Sequence, residues 1–428
     1  MLITLLLISL LGYSIFTYAF TDPNLVLFQA SWYQYFQQNI WQVFFHNHQL
    51  TAMVFVSFLI LFFGCYFLLL RAAKGRRKIP LFVFLLFIPL IFSYNALSHD
   101  VFNYAFNAKM VVVYGANPHE KAALHFAAFD DWVRFMHNTH TPAPYGYGWT
   151  MLSVIPYFIS GGSFFLTWLG FKFFALLSMV LLYVSLQYYS QQKYARSLKP
   201  FEIILVFGNP LLYLEVLSNA HNDLWMMAPA IVSFALMHRL LTFKKSESYL
   251  IIVSLLLLLF SVTIKLATLL LLPFWLLLCS LYIREKTLLD LTLFAIKKVP
   301  AWMRNRSETA IYKILTFVTN WLLQHLEDLM AVTTGLLLIT SRSQRFLPWY
   351  LIWLLVWFPF MKSVLVRLSV LTLSVSSMFR YLPWILEGGY GSQTHTQEIA
   401  ITWIPLLVVV CSYLFIPSVR NQLRKWLP

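Results

Sequence analysis

Only 16 Asp and Glu residues occur among 428 positions, and one of them, Asp100, stands where a hydrophobic run ends, in Ser98-His99-Asp100-Val101-Phe102-Asn103-Tyr104. A charge at the edge of a bilayer is costly, so it is paired or kept for a function. With so few carboxylates the candidate acids and bases are few, and Asp100 heads them. Asp100, Asn103, Tyr104 and Asn107 are spaced i, i+3, i+4, i+7, which aligns them on one side of a helix. Tyr114-Gly115-Ala116-Asn117-Pro118-His119-Glu120 reads as a helix stop followed by a turn. Asp130-Asp131-Trp132 and the Pro-rich segment 141–148 complete a polar loop running to about Trp149. A solvated connection with an aromatic belt accounts for most tyrosines and tryptophans of that loop.

A second polar group runs Asn209-Pro210, Glu215, then Ser218-Asn219-Ala220-His221-Asn222-Asp223. Glu215, Asn219 and Asn222 share a helical face. Carboxylate and imidazole side by side have the chemistry to bind a divalent ion, whereas a capped helix start at Asp223 explains the same residues without one. Lys265 interrupts an apolar hairpin. It either snorkels to headgroups or receives a lipid phosphate. Arg342 and Arg345, just before Phe346-Leu347-Pro348-Trp349-Tyr350, and Arg380 add further cations. On the outer side they run against the usual charge bias, which points to an anionic partner on that face.

The elements that must position these groups are membrane helices. Hydrophobic residues make up 60% of the chain, aromatics 18% and charged residues 11%, and mean hydropathy is +0.71. A soluble protein of this length needs a more charged surface, and apolar runs of roughly 17–22 residues span a bilayer. The net charge of +15 sits in short loops between runs, which fits cytoplasmic loops and anionic lipid rather than nucleic acid. Cys65, Cys279 and Cys411 each lie inside an apolar run, with no metal-ligand spacing. Leu2–Phe20 lacks a basic flank and reads as a first span rather than a signal peptide.

The dense basic cluster Arg71–Lys78 fixes its loop as cytoplasmic, so Asp100 and the loop 98–149 fall outside. Residues 150–169 contain Pro156 and Gly161-Gly162, helix interrupters that mark a juxtamembrane or re-entrant piece, leaving 171–190 as the span. This frame predicts an all-α polytopic membrane protein of about 12 spans with both termini inside. It forms one transmembrane domain (1–428), in which residues 1–79 supply two preceding spans and 80–428 the remainder. Within 287–341, Lys297–Arg306 reads as a basic interfacial helix followed by a short span.

At these residues the chain resembles the GT-C superfamily of membrane glycosyltransferases, in particular prokaryotic polyprenyl-phosphate-mannose-dependent mannosyltransferases. The resemblance lies in Ser98-His99-Asp100 with Tyr104, Tyr114-Gly115-Ala116-Asn117-Pro118, Tyr145-Gly146, Asn209-Pro210, His221-Asn222-Asp223, Lys265 with Thr268, and Pro348-Trp349-Tyr350 with Trp353. In order and spacing these cover roughly residues 90–360. The resemblance implies a GT-C-like bundle in a plasma membrane, an extracytoplasmic active site, Asp100 as general base, a polyprenyl-phosphate sugar donor, a glycan or glycolipid acceptor, and inversion. Many relatives carry Asn-Pro-Tyr where this chain has Asn117-Pro118-His119, and Tyr-Gly-Pro where it has Tyr145-Gly146-Tyr147; these departures bear on sugar and acceptor. His99 stands where many have a second acid, so the resemblance does not require a metal; a divalent cation, if bound, has Asp100, His221 and Asp223 as its ligands. Position and resemblance together make a candidate substrate site of His99, Tyr104, Asn117, His119, Tyr145, Glu215, His221, Asn222, Asp223, Lys265, Arg342, Arg345, Trp349, Tyr350 and Arg380.

The chemistry agrees. Sugar transfer needs a carboxylate within reach of the acceptor hydroxyl, and inversion needs one such base opposite the leaving group. A lipid phosphate already leaves well, and a cation such as Lys265 or an arginine stabilises it without a general acid. Two other classes compete. A transporter or lipid flippase favours midplane charges and an internal repeat, neither of which is visible. A membrane scaffold has no need of Asp100, Glu215 and Lys265 at one depth.

Overall fold

The computed structural model describes residues 2–22, 24–75, 81–243, 247–295, 310–339, 346–388 and 392–426. The expected positions Arg342 and Arg345, the basic residues Arg76–Lys78 and Lys244/Lys245, and the stretch Lys297–Arg306 lie outside them. Among the described residues the fold is all helical, without strands. The helices are α1 Leu2–Phe16, α2 Ser31–Phe44, α3 His48–Ala73, α4 Asp100–Val112, α5 Tyr147–Ile159, α6 Phe164–Tyr194, α7 Pro200–Phe207, α8 Pro210–Tyr213, α9 Asp223–Phe243, α10 Tyr249–Ile264, α11 Leu272–Ala295, α12 Ala310–Gln324, α13 Leu326–Gly335, α14 Ile352–Leu355, α15 Val364–Phe379, α16 Tyr381–Glu387, α17 Ser392–Phe415 and α18 Pro417–Trp426.

Among the described residues seven helices can cross a membrane by length and composition, or nine if two bent pairs each count as one span. These do not by themselves account for the expected 12. The bends are 51° between α7 and the 210–218 segment, at the helix-breaking Gly208-Asn209-Pro210, and 68° between α12 and α13, where the His325 backbone leaves the helical region at φ −107° and ψ 20°. Other apolar stretches are short, as in α10 and Pro348–Phe360, or wound as a 3-10 helix around Pro89, over Leu81–Phe92. In 150–169 the break falls at Gly161 and Gly162, with φ of +61° and +80°, while Pro156 is carried inside α5. The long helix α6 therefore begins at Phe164, seven residues before the expected 171.

The centre of the bundle is α9, in which 72% of the most apolar window is buried, against 17% for α17 at the periphery. Its flanks are α6 and α10, which pack along it. Ser233 and Ser254 exchange hydrogen bonds between α9 and α10, and Ser261 of α10 donates to the Met226 carbonyl of α9 at 2.7 Å. Small hydroxyl residues let helices approach closely where lipid supplies no hydrophobic drive. The loop 113–146 is itself folded: Asp130 accepts from Tyr114 at 2.8 Å and pairs with Lys109 at 2.6 Å.

Candidate active site

Where α4, the loop before α5, the turn after α10 and the 347–353 segment meet, a cavity of about 1020 Å³ opens. Ser98, His99, Asp100, Asn103, His137, Tyr145, Lys265, Trp349, Tyr350 and Trp353 supply its polar and aromatic wall. Leu266, Leu269, Leu270, Leu337 and Leu347 supply an apolar one. Pockets that combine apolar wall with a few converging polar groups are the usual form of ligand sites.

Asp100 opens α4, where the helix dipole favours a negative charge, and its side chain is 18% exposed. Behind it lies His221, fully buried. Its Nδ1 is 3.6 Å from Asp100 Oδ2 and its Nε2 3.4 Å from Glu215 Oε2. The imidazole stacks on the Trp349 indole, ring centres 3.9 Å apart. Glu215 accepts from Asn219 Nδ2 at 3.0 Å and Tyr381 OH at 2.9 Å.

Local sequence explains this placement. Leu214–Ser218 forms a π-helical turn, closed by the Asn219 N–H donating to Leu214 O at 3.0 Å. Ala220 comes next in the left-handed region at φ +58°, a conformation costing an alanine about 1 kcal/mol. Strain of this kind is kept where the surroundings dictate it, often at functional sites. Here it turns the chain so that His221 points back between Asp100 and Glu215. Lys172 of α6, fully buried, donates to the carbonyl oxygens of Leu217 and Ser218 and so holds the end of the π turn.

On the other wall Lys265 Nζ stands 2.7 Å from Asp223 Oδ1, and Trp353 Nε1 donates to the same oxygen at 2.6 Å. Lys265 thus turns inward and lines the cavity. The loop reaches it through Gly146, whose N–H donates to Ile264 O at 2.9 Å. A Cβ at Gly146 would lie 1.9 Å from the Thr263 carbonyl oxygen, so only glycine lets the loop backbone approach this turn.

The electrostatics separate the histidines from Asp100. His99 Nδ1 donates to the Phe135 carbonyl at 3.2 Å and its ring stacks on His137, centres 3.9 Å apart. Burial, reinforced by His137, pushes His99 down to about 3, so the ring is neutral. Burial also lowers His137, with Asp100 pulling the other way. Tyr145 is held well above its ordinary value, first by burial and then by the Asp100 carboxylate.

Several expected site residues sit elsewhere. Tyr104 packs under the wall against Tyr145 and Trp149, with ring centres 4.9 Å away in each case. Asn117 bonds Glu120 at 2.8 Å and accepts from the His119 N–H at 3.0 Å. His119 Nε2 is 2.9 Å from Thr150 Oγ1, so both residues pin the loop to α5. Arg380 pairs with Glu398 at 2.9 Å. Asn222 is buried behind the cavity beside Asp223. Among the described residues no three His, Cys, Asp or Glu side chains group so as to hold a metal ion; Asp223 faces Lys265, not Asp100 and His221.

A family model described as alpha-(1->6)-mannopyranosyltransferase, N-terminal domain (MptA_B family), matches residues 19–280, more than half of the chain. The chain belongs to this mannosyltransferase family. No curated protein and no solved structure matches it. The matched part of the mannosyltransferase carries Asp100, His99, Tyr145, Glu215, His221, Asp223 and Lys265, while Trp349, Trp353 and Tyr381 lie beyond it. Three residues of the site escape the sequence reading. A lysine inside an apolar run, as at Lys172, was signal enough. His137 and Tyr381 left no such mark, being a loop histidine and a tyrosine beside the more conspicuous Arg380.

Proposed function

We propose that this mannosyltransferase is an inverting enzyme that moves mannose from a polyprenyl-phosphate donor to a lipid-linked or cell-surface glycan on the outer side of the plasma membrane. Asp100 is its base. The observation that carries the reading is that one cavity is lined by a partly exposed carboxylate, Asp100, and by a cation, Lys265, with apolar wall beside the cation. The donor's phosphate lies against Lys265 and its lipid chain against Leu266, Leu269 and Leu270. The acceptor hydroxyl lies against Asp100.

In the transfer, the acceptor oxygen forms a bond to the anomeric carbon while the bond from that carbon to the phosphate oxygen breaks. Asp100 takes the hydroxyl proton, and Lys265 stabilises the charge gathering on the departing phosphate. Asp223 and Trp353 hold the ammonium in position, and a preplaced charge needs no reorganisation as the bond breaks. Neither step needs a divalent cation. The chain has twelve spans if α10, Leu81–Phe92 and Pro348–Phe360 cross as short segments beside the nine, which places both termini in the cytoplasm.

The test is mannosyl transfer from a synthetic polyprenyl-phosphate mannose by purified protein in lipid nanodiscs. Asp100→Asn is expected to lower turnover by at least about 1,000-fold while accumulating and melting like the native chain. Full turnover in that variant overturns the assignment of the base. Sugar-lipid movement across vesicles without a glycan product favours a flippase.

A further inference from the structure

The His221 imidazole occupies an unusual place. It is fully buried, its two nitrogens face two carboxylates, and among the described residues neither nitrogen has a hydrogen-bond partner of ordinary geometry. Glu215 has no exposure, and its donors among the described residues, Asn219 and Tyr381, are neutral. An ionised carboxylate with only neutral partners in a buried site is expensive. Only Asp100 of the three reaches the cavity. The order from cavity to interior is therefore acid, imidazole, acid.

Resting on the reading of Asp100 as base, we infer that His221 and Glu215 are positioning residues that form a proton relay behind it. The hydroxyl proton taken by Asp100 Oδ2 passes to His221 Nδ1, and Glu215 stabilises the imidazolium so formed. Asp100 is thereby returned to its carboxylate form while the sugar is still being transferred. After the product leaves, the proton goes back through Asp100 to the cavity, and no co-reactant is consumed. The 3.6 Å separation closes to hydrogen-bond length by a shift of less than 1 Å. Trp349 holds the ring plane, and Lys172 and Ala220 hold the backbone that carries it. This logic parallels carboxylate–imidazole pairs in which the outer acid orients the ring and stabilises its charge.

The groups facing this relay come from every side. His137, Tyr145, Tyr104 and Tyr350 interact with Asp100. Tyr381, Asn219 and Tyr13 face Glu215. Asp223 and Lys265 form the neighbouring pair, and Lys172 is the cation on α6.

The experiment measures kcat, KM for donor and the pH profile of the full chain in nanodiscs for native protein, His221→Gln and Tyr381→Phe. His221→Gln is expected to lower kcat by about 100-fold with donor KM within threefold, as for loss of a proton-transfer group. Its acid limb is displaced from its native position, because the group that receives the proton from Asp100 is gone. Tyr381→Phe keeps the ring shape and removes one donor from Glu215. It is expected to lower kcat about threefold to tenfold with the acid limb displaced from its native position, and it keeps the relay testable should His221→Gln fail to fold. A His221→Gln enzyme with kcat within threefold of native, or an unmoved acid limb in either folded variant, overturns the relay. Asp100→Asn run alongside separates the two readings: an active Asp100→Asn overturns the base itself, whereas a dead Asp100→Asn beside an active His221→Gln overturns the relay alone.

Discussion

Two buried polar clusters lie at the two ends of α6, about 30 Å apart by the helix rise. One, reached from Lys172, contains Asp100, Glu215, His221, Asn222, Asp223 and Lys265. The other, at Tyr189 and Lys193, contains Tyr194, His238, Glu327 and Asp328. In the second, Glu327 Oε1 accepts from Tyr189 and Lys193, each at 2.6 Å, and from Tyr194 at 3.2 Å. Asp328 receives the backbone N–H of Lys362 at 3.2 Å and of Ser363 at 3.1 Å, with His325 3.0 Å away. One atom there, Glu327 Oε2, lacks a hydrogen-bond partner. In the first cluster both nitrogens of His221, both amide atoms of Asn222 and Asp223 Oδ2 lack one among the described residues. Buried polar groups are satisfied unless something other than the fold requires them. This contrast fits the proposed division, in which the Glu327 cluster ties helices together and the Asp100 cluster serves the substrate.

Variants that exchange these roles put the division at risk. The largest contrast is Asp100→Asn, which removes turnover and leaves the melting temperature within a degree or two; a large fall in melting temperature would make Asp100 a structural residue. Glu327→Leu should do the reverse. It leaves the part-buried Lys193 without its carboxylate, at a cost of about 3 kcal/mol at most, read by chemical denaturation in detergent, while the folded fraction keeps kcat within twofold. A folded Glu327→Leu with little activity would erase the distinction.

Acid gives the next largest effect. His99 is neutral in the folded protein down to about pH 3 but takes a proton near 6.5 when unfolded. Between those values the unfolded chain binds more protons, so stability falls as pH falls through that window and is fully present above 6.5. At pH 5 the loss from His99 is about 2 kcal/mol. His99→Gln should flatten the fall in melting temperature between pH 7 and 5, and an unchanged slope would rule out His99 as its source. The smallest effect belongs to Gly146→Ala. The added methyl meets the Thr263 carbonyl and shifts the loop that carries Tyr145 into the cavity wall, for a loss of about tenfold in turnover. Native turnover in that variant would mean that the loop does not position the site.

Much of this was legible in the sequence for physical reasons. Scarcity of charge made Asp100, Glu215, Asp223 and Lys265 stand out, because each must have a reason to be in a membrane protein, and the structure brings all four to one site. Proximity across the fold was not legible. Arg380 reads as a free outer cation, yet Glu398 on α17 neutralises it, and its silent neighbour Tyr381 reaches Glu215. His221 and Asp223 read either as metal ligands with Asp100 or as a capped helix start, but a left-handed Ala220 sends His221 toward Asp100 and leaves Asp223 to Lys265. Helix breaks were legible at Gly161-Gly162 and not at Pro156, since a proline is tolerated in a first turn or where neighbours re-satisfy the backbone.

The π turn at Leu214–Ser218 has a consequence for how this chain tolerates insertion and deletion. A π turn is an α-helix holding one residue too many. Deleting one residue between 214 and 218 would let the segment relax to an α-helix. Each residue removed rotates the C-terminal side of the helix by about 100° relative to the N-terminal side. Glu215 could then stay with Tyr381, or His221 with Asp100, but not both. The extra residue acts as a register pin, and the length of this short stretch is constrained as tightly as the identity of any residue in it.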